Sequence, residues 1–171
     1  MKIKYIVILI LLIVLSTNKT NIKEKETIIK TPSINIVEES DEIGRLIIDK
    51  INLNRPLYNI NDSRNNIEEN VTILKESIMP DKDNSIVFIA AHSGTGDVAY
   101  FNDLDKLTIN DEIILIYKNN KYKYIVTDIT ENKKNGYINI NKEISNQLIL
   151  TTCSPNRNKY QLIINCTEKE S

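Results

Sequence analysis

Short apolar runs separated by polar segments recur along the chain from about residue 43 to residue 166. The runs are rich in isoleucine, leucine, valine, tyrosine and threonine, which favour extended strands over helices. They lie at residues 43–48, 51–53, 86–91, 112–117, 122–128, 148–153 and 160–166. Several short strands with few helices between them predict a mainly β fold, either a barrel or a sandwich.

The clearest strand pair lies at residues 112–117 and 122–128. Asn119 and Asn120 stand between the two runs, and asparagine tolerates the positive φ angles of the turns that close tight hairpins. An antiparallel hairpin is therefore predicted here. The polar residues 132–146 that follow predict a long loop.

Two stretches between the strands predict short helices. Residues 61–70 begin with residues that cap helices well and continue with glutamates. Phe101, Leu104 and Leu107 recur at helical spacing, which predicts a second helix over residues 97–107 that lies against the barrel.

The amino terminus has the pattern of a membrane-directed segment. Lys2 and Lys4 precede an uncharged apolar run, a pattern shared by secretory signals and short anchors. No small-residue cleavage site follows, which favours an uncleaved anchor although the run is shorter than the ~20 residues that span a bilayer comfortably. The preceding lysines predict that the rest of the chain lies outside the cytoplasm. The predicted organisation is a single-pass anchor (1–17), a polar linker (18–41) and an extracytoplasmic domain (42–171).

Composition narrows the class of function. The chain has 171 residues, a formal net charge of -1 and 41% hydrophobic residues, enough for one ordinary core. Acidic and basic residues are interspersed, so no basic surface for nucleic acid is expected. With one histidine and two cysteines in non-adjacent positions, neither a closed zinc site nor another cofactor is expected.

Two of the predicted strands end in residues that can carry chemistry. The run 148–152 leads into Cys153, and the run 86–91 leads into His92, the only histidine. A free cysteine has a pKa of about 8.5, so a neighbouring imidazole is needed to take its proton and later deliver one to a leaving amine. The alternative is that both residues are structural, with Cys153 as a small buried apolar side chain and His92 as a hydrogen-bonded residue of a turn. A disulfide with Cys166 is disfavoured because it would consume the only well-placed nucleophile.

The segments Ala91-His92-Ser93-Gly94 and Thr151-Thr152-Cys153, with the opening Ile43-Gly44-Arg45-Leu46, resemble the sortase family of Gram-positive transpeptidases. The resemblance spans about residues 43–166. It implies an eight-stranded sortase-type β-barrel with a few short helices. By the resemblance alone, a relative of class B or class D is expected. No apolar segment follows the last predicted strand, which argues weakly against a pilus-polymerising type and leaves the class open.

The resemblance also implies a reaction. The Cys153 thiolate would attack a backbone carbonyl in a C-terminal sorting signal similar to Leu-Pro-x-Thr-Gly of a secreted protein. An amine of a cell-wall precursor or of another protein would then resolve the acyl thioester, with His92 as general acid and base. Thr151, Thr152 and Ser93 are the expected substrate contacts.

The chain departs from the family pattern at its third catalytic residue. Family members carry an arginine on the strand after the cysteine, where this chain has Gln161. The amide of Gln161 can donate a hydrogen bond but carries no charge. Arg157, four residues past Cys153, is the alternative source of that charge, and both residues stay candidates.

Other classes of protein fit less well. An L,D-transpeptidase would carry a histidine just before the cysteine, where this chain has Thr151 and Thr152, and papain-like hydrolases place the cysteine before the histidine. The rival of a different class is a membrane-tethered β-barrel that binds an extracellular peptide or assembly partner without catalysis.

Overall fold

The computed structural model of the chain describes residues 41–138, 140–141 and 143–169. The predicted anchor and nearly all of the predicted linker lie outside these residues. Within the described residues, no helix combines the length and apolar character needed to cross a bilayer. Residues Ser40–Ser171 form one compact unit.

The described residues form one eight-stranded sheet that curls into a nearly closed barrel. The strands are β1 (Gly44–Ile48), β2 (Leu53–Leu57), β3 (Thr72–Ile73), β4 (Ile86–Ala90), β5 (Glu112–Tyr117), β6 (Asn120–Lys133), β7 (Gln147–Cys153) and β8 (Tyr160–Glu168). Their order in the sheet is β2-β1-β5-β6-β8-β7-β4-β3. Neighbours are antiparallel except β4 and β7, which run parallel. The predicted mainly β, eight-stranded barrel is confirmed.

Asparagine side chains bridge the gap between the two edge strands. Asn70 donates to the carbonyl of Pro56 in β2 over 2.9 Å and accepts from Nε of Arg55 over 3.1 Å. Asn65 makes two hydrogen bonds with the backbone of Ile73 in β3. These amides satisfy backbone groups that an open sheet edge would leave unpaired.

The predicted hairpin is confirmed, with a shifted turn. β5 and β6 pair from Glu112↔Ile125 to Tyr117↔Asn120. Lys118 and Asn119 have φ angles of 48° and 65° and form the turn, so Asn120 already belongs to β6. Because β6 continues to Lys133, the predicted loop over residues 132–146 begins two residues too early.

Both predicted helices are wrong. Residues 61–70 form turns, because side chains such as Asp62 and Asn66 bond to nearby backbone N–H groups and compete with a helical ladder. Residues 97–107 form turns that end in a 3-10 helix at Leu104–Lys106. A second 3-10 helix lies at Asp49–Ile51.

The core fills the inside of the barrel and the space under the 97–107 segment. Alternate residues of the strands point inward, as Leu46 and Ile48 of β1 and Ile113 and Leu115 of β5 do, all with 0% exposure. The apolar residues that suggested a helix are buried as expected, since Phe101, Leu104 and Leu107 are at most 2% exposed. The central strand β7 is buried along both faces until its last residue.

Candidate active site

Cys153 lies at the open end of the sheet. It is the last residue of β7, and its side chain is exposed although the six residues before it are buried. The hydroxyl of Ser154 then accepts hydrogen bonds from the backbone N–H groups of Asn156 and Arg157, which turns the chain away from the strand. The local sequence therefore delivers the thiol to the surface at the end of a buried strand.

The parallel pairing of β4 and β7 brings His92 to the same end of the sheet. Ala90 lies opposite Thr151, so two residues further His92 comes into register with Cys153. Parallel neighbours in a sheet are about 4.8 Å apart. The structure thus brings together the two residues that the sequence separates by 61 positions.

Hydrogen bonds continue this pairing beyond the end of β4. They run from the Ala91 N–H to the Thr151 carbonyl (3.3 Å), from the Thr152 hydroxyl to the Ala91 carbonyl (2.8 Å) and from the Ser93 hydroxyl to the Cys153 carbonyl (2.9 Å). The loop that carries His92 is therefore fixed to the strand that carries the thiol.

The hydroxyls of the three predicted substrate contacts are used within the sheet. Thr151 and Thr152 are only 8% and 6% exposed, and the Thr151 hydroxyl donates to the carbonyl of Leu162 in β8 over 3.1 Å. Ser93 is partly exposed and bonded to Cys153, as above. A contact of these residues with substrate stays a prediction.

The imidazole and the thiol each have a different charged partner. Nε2 of His92 lies 3.2 Å from Oε1 of Glu68. Nζ of Lys134 lies 2.7 Å from Sγ of Cys153. The histidine is thus paired with an anion and the cysteine with a cation, and among the described residues the two side chains form no hydrogen bond with each other.

Gln161 and Arg157 occupy different positions around the thiol. Gln161 lies directly opposite Cys153 in the β7–β8 pair, and its Nε2 donates to the carbonyl of Tyr137 over 3.1 Å. The guanidinium of Arg157 stacks on the ring of Tyr160, 3.6 Å from its centroid. The structure therefore places Gln161 next to Cys153 but holds Arg157 against an aromatic ring.

Sequence reasoning missed both charged partners, Glu68 and Lys134. Each is one of many acidic or basic residues in a polar stretch, and no motif marks either. Lys134 directly follows β6, which the sequence pattern predicted to end at residue 128, five residues before its observed end. A prediction that β6 is longer and pairs with the strand after the cysteine would have placed Lys134 near Cys153.

The second thiol is in a contrasting environment. Cys166 lies inside β8 with 1% exposure and is unpaired, and burial raises the pKa of its thiol well above the ordinary value. A thiol held in its protonated form is a poor nucleophile. Within the described residues, no three His, Cys, Asp or Glu side chains are grouped as metal ligands.

Comparison with known proteins agrees with the fold. A family model of the sortase domain matches residues 46–169, most of the chain. The protein belongs to the sortase family, whose members are cysteine transpeptidases. A comparison with curated proteins gave no significant match.

Several solved structures share the fold. Sortase C1 from Streptococcus agalactiae is 25% identical with a TM-score of 0.65, over 79% of this chain and 71% of that chain. Sortase C from Streptococcus pneumoniae is 22% identical with a TM-score of 0.67, over 77% and 68%. Sortase C-1 from Actinomyces oris is 22% identical with a TM-score of 0.64, over 78% and 77%. These similar structures are of class C, whereas a class B or D relative was expected, and that expectation stays a prediction.

Proposed function

We propose that the protein is a transpeptidase that cleaves a C-terminal sorting signal of secreted proteins through an acyl thioester on Cys153. The observation that carries the proposal is the position of an exposed thiol at the end of β7 in register with His92 at the end of β4. A nucleophile and a proton carrier on adjacent strand ends are what acyl transfer through a thiol requires.

The reaction would proceed in two balanced steps. In the first, the Cys153 thiolate attacks the scissile carbonyl, the C–N bond breaks, and imidazolium His92 gives a proton to the leaving amine. In the second, an acceptor amine attacks the thioester, His92 takes a proton from that amine, and the thiolate leaves. A new amide bond replaces the old one without any change in oxidation state.

The substrate we propose is a peptide similar to Leu-Pro-x-Thr-Gly. The acceptor is an amine of a cell-wall precursor or of another protein. Membership of the sortase family supports both, and pilin substrate specificity is described for the Streptococcus pneumoniae sortase C. We place the domain on the outer side of the cell membrane, because the pattern of residues 1–17 favours an uncleaved anchor.

Trapping of the acyl enzyme tests this proposal. The full chain is incubated with a sorting-signal peptide and analysed by mass spectrometry with and without an added amine such as triglycine. We expect an adduct on Cys153 that the amine discharges. The variant Cys153→Ala should form none, whereas the matched control Cys166→Ala should retain adduct formation, because that thiol is buried in β8.

The non-catalytic binding module is the second candidate. It is favoured by the glutamine at the position of the family arginine and by the separate partners of His92 and Cys153. A folded protein that binds the peptide but never yields an adduct at Cys153 would contradict the transpeptidase proposal and support this one.

A further inference from the structure

We propose that Lys134 is the thiolate-stabilising cation of this site, and that Gln161, at the position of the family arginine, positions the loop that carries this lysine. The inference rests on the proposed function and adds a catalytic residue to it. Its basis is the contact of 2.7 Å between Nζ of Lys134 and Sγ of Cys153. An ammonium in contact with a thiol favours its ionised form.

The sheet order explains how a residue 19 positions before the cysteine reaches it. β8 lies between β6 and β7 in the sheet. Its residue Gln161 is paired with Asn132 of β6 on one side and with Cys153 of β7 on the other. Strands two places apart are separated by about 10 Å. The aliphatic part of a lysine side chain is long enough to extend across β8 to the thiol. The order of the strands places Lys134 and Cys153 on either side of β8.

The backbone of Lys134 is held at the end of this pairing. Its N–H donates to the carbonyl of Lys159 over 2.9 Å, one step beyond the pair Lys133↔Tyr160. The backbone of Lys134, from which the side chain starts, is therefore fixed by the sheet. Only the methylene groups and the ammonium need to be ordered by the contact with sulfur.

Gln161 secures the loop from the other side. Its amide donates to the carbonyl of Tyr137 over 3.1 Å, three residues beyond Lys134. The neutral side chain that replaces the family arginine thus holds the segment that supplies a positive charge. The charge thus comes from Lys134, just after β6, and its positioning from Gln161 in the adjacent strand β8.

The other charged groups around the thiol are engaged elsewhere. Arg157 stacks on Tyr160, His92 pairs with Glu68, and Glu131 accepts a hydrogen bond from the Ser154 hydroxyl over 2.5 Å. Within the described residues, Lys134 has no carboxylate within ion-pair distance, so its charge faces the sulfur without a competing anion.

Alkylation of Cys153 tests the inference without any need for turnover. The rate of reaction with iodoacetamide is followed by peptide mass spectrometry from pH 5 to pH 10 in the full chain. In Lys134→Gln we expect the rate near pH 6.5 to fall about tenfold, because the cation in contact with Sγ is lost. Lys134→Arg should retain most of the original profile because it keeps the charge.

Lys133→Gln is the matched control. It removes the same charge from the adjacent exposed residue at the end of β6, without a contact to sulfur among the described residues. Its profile should remain that of the original chain. If Lys134→Gln and Lys133→Gln give the same profile, the inference is wrong.

Peptide cleavage measured on the same variants separates this inference from the proposed function. A shifted alkylation profile in a protein that never cleaves the peptide would support the role of Lys134 and contradict the transpeptidase proposal. Cleavage that is equally fast in the original chain, Lys134→Gln and Lys133→Gln would support the transpeptidase and overturn the role of Lys134.

The double variant Lys134→Gln/Gln161→Arg should recover part of the lost rate, because it returns a cation to the strand opposite Cys153.

Discussion

Cys153 and Cys166 carry the same functional group in opposite environments. One ends a strand at the surface beside a cation, and the other lies inside β8, where burial raises its pKa. The sequence pattern correctly predicted that Cys153 ends a strand, because a proline follows two residues later, whereas its choice as the candidate nucleophile rested on the family resemblance. The partners of the site were not predictable in this way, because Lys134 reaches Cys153 only through the pairing of three strands.

The contact between Glu68 and His92 is expected to have a small effect on activity. Both side chains are solvent-accessible, with 72% and 35% exposure, and exposed ion pairs typically contribute about 0.2–1 kcal/mol. We predict that Glu68→Gln lowers kcat/KM by less than about fivefold. The effect should shrink as salt is raised from 0.05 to about 0.5 M, because salt screens exposed charges.

Peptide-cleavage kinetics at the two salt concentrations measure this effect. Glu69→Gln, the neighbouring exposed carboxylate, is the control and should leave kcat/KM unchanged. A loss of a hundredfold or more in Glu68→Gln at both salt concentrations would contradict this prediction and assign Glu68 a direct role in proton transfer.

At the scale of elements, strands were predicted far better than helices. Each predicted strand run overlaps an observed element, because period-two burial and β-branched residues act locally along a strand. The 97–107 segment failed because a spacing of three residues between buried side chains fits turns and 3-10 helices as well as an α-helix. The two-residue strand β3 was not predicted, since so short a strand depends on pairing with β4 and on the amide of Asn65.

The pairing of β1 with β5 depends on the absence of a side chain at Gly44. A Cβ atom built there would lie 1.9 Å from the carbonyl oxygen of Ile116, a backbone atom that cannot move without shifting β5. We predict that Gly44→Ala lowers the free energy of unfolding by about 1–3 kcal/mol. Chemical denaturation measures the loss.

The adjacent Arg45→Ala serves as the control for that substitution. It removes a surface ion pair with Glu42 and a hydrogen bond to Asn54, and it should cost less than about 1 kcal/mol. Equal losses of unfolding free energy in the two variants would contradict the prediction, because they would show that β5 shifts at little cost to make room for a Cβ atom at position 44.

At the scale of the molecule, one core serves the whole described domain. Its fully buried residues run from Leu46 in β1 to Cys166 in β8, all within the unit Ser40–Ser171. We predict that a chain beginning at Ser40 unfolds cooperatively on heating and retains the peptide-cleavage rate of the full chain on a soluble peptide. Circular dichroism and the cleavage assay would check this, and a broad transition without a defined Tm would contradict it.

The same core makes the stability of the molecule sensitive to alkaline pH. Burial raises the pKa of the Cys166 thiol and of the Tyr124 phenol above their ordinary values. Above pH 9 the unfolded chain therefore releases the thiol proton while the folded chain keeps it. The unfolded state then binds fewer protons, so the free energy of unfolding falls as pH rises, by at most about 1.4 kcal/mol per pH unit for each group.

Substitutions at these two residues should separate their contributions. In a Cys153→Ala background, where one thiol titrates, Cys166→Ala should flatten the decline between pH 9 and about 10, and Tyr124→Phe should flatten it above pH 10. Tyr124→Phe should cost little at pH 7, because the buried hydroxyl interacts with Ser85 without a hydrogen bond of normal geometry among the described residues. Urea denaturation from pH 7 to about 10.5 measures both slopes. An unchanged decline in both variants would show that the alkaline loss arises from surface groups rather than from the core between β6 and β8.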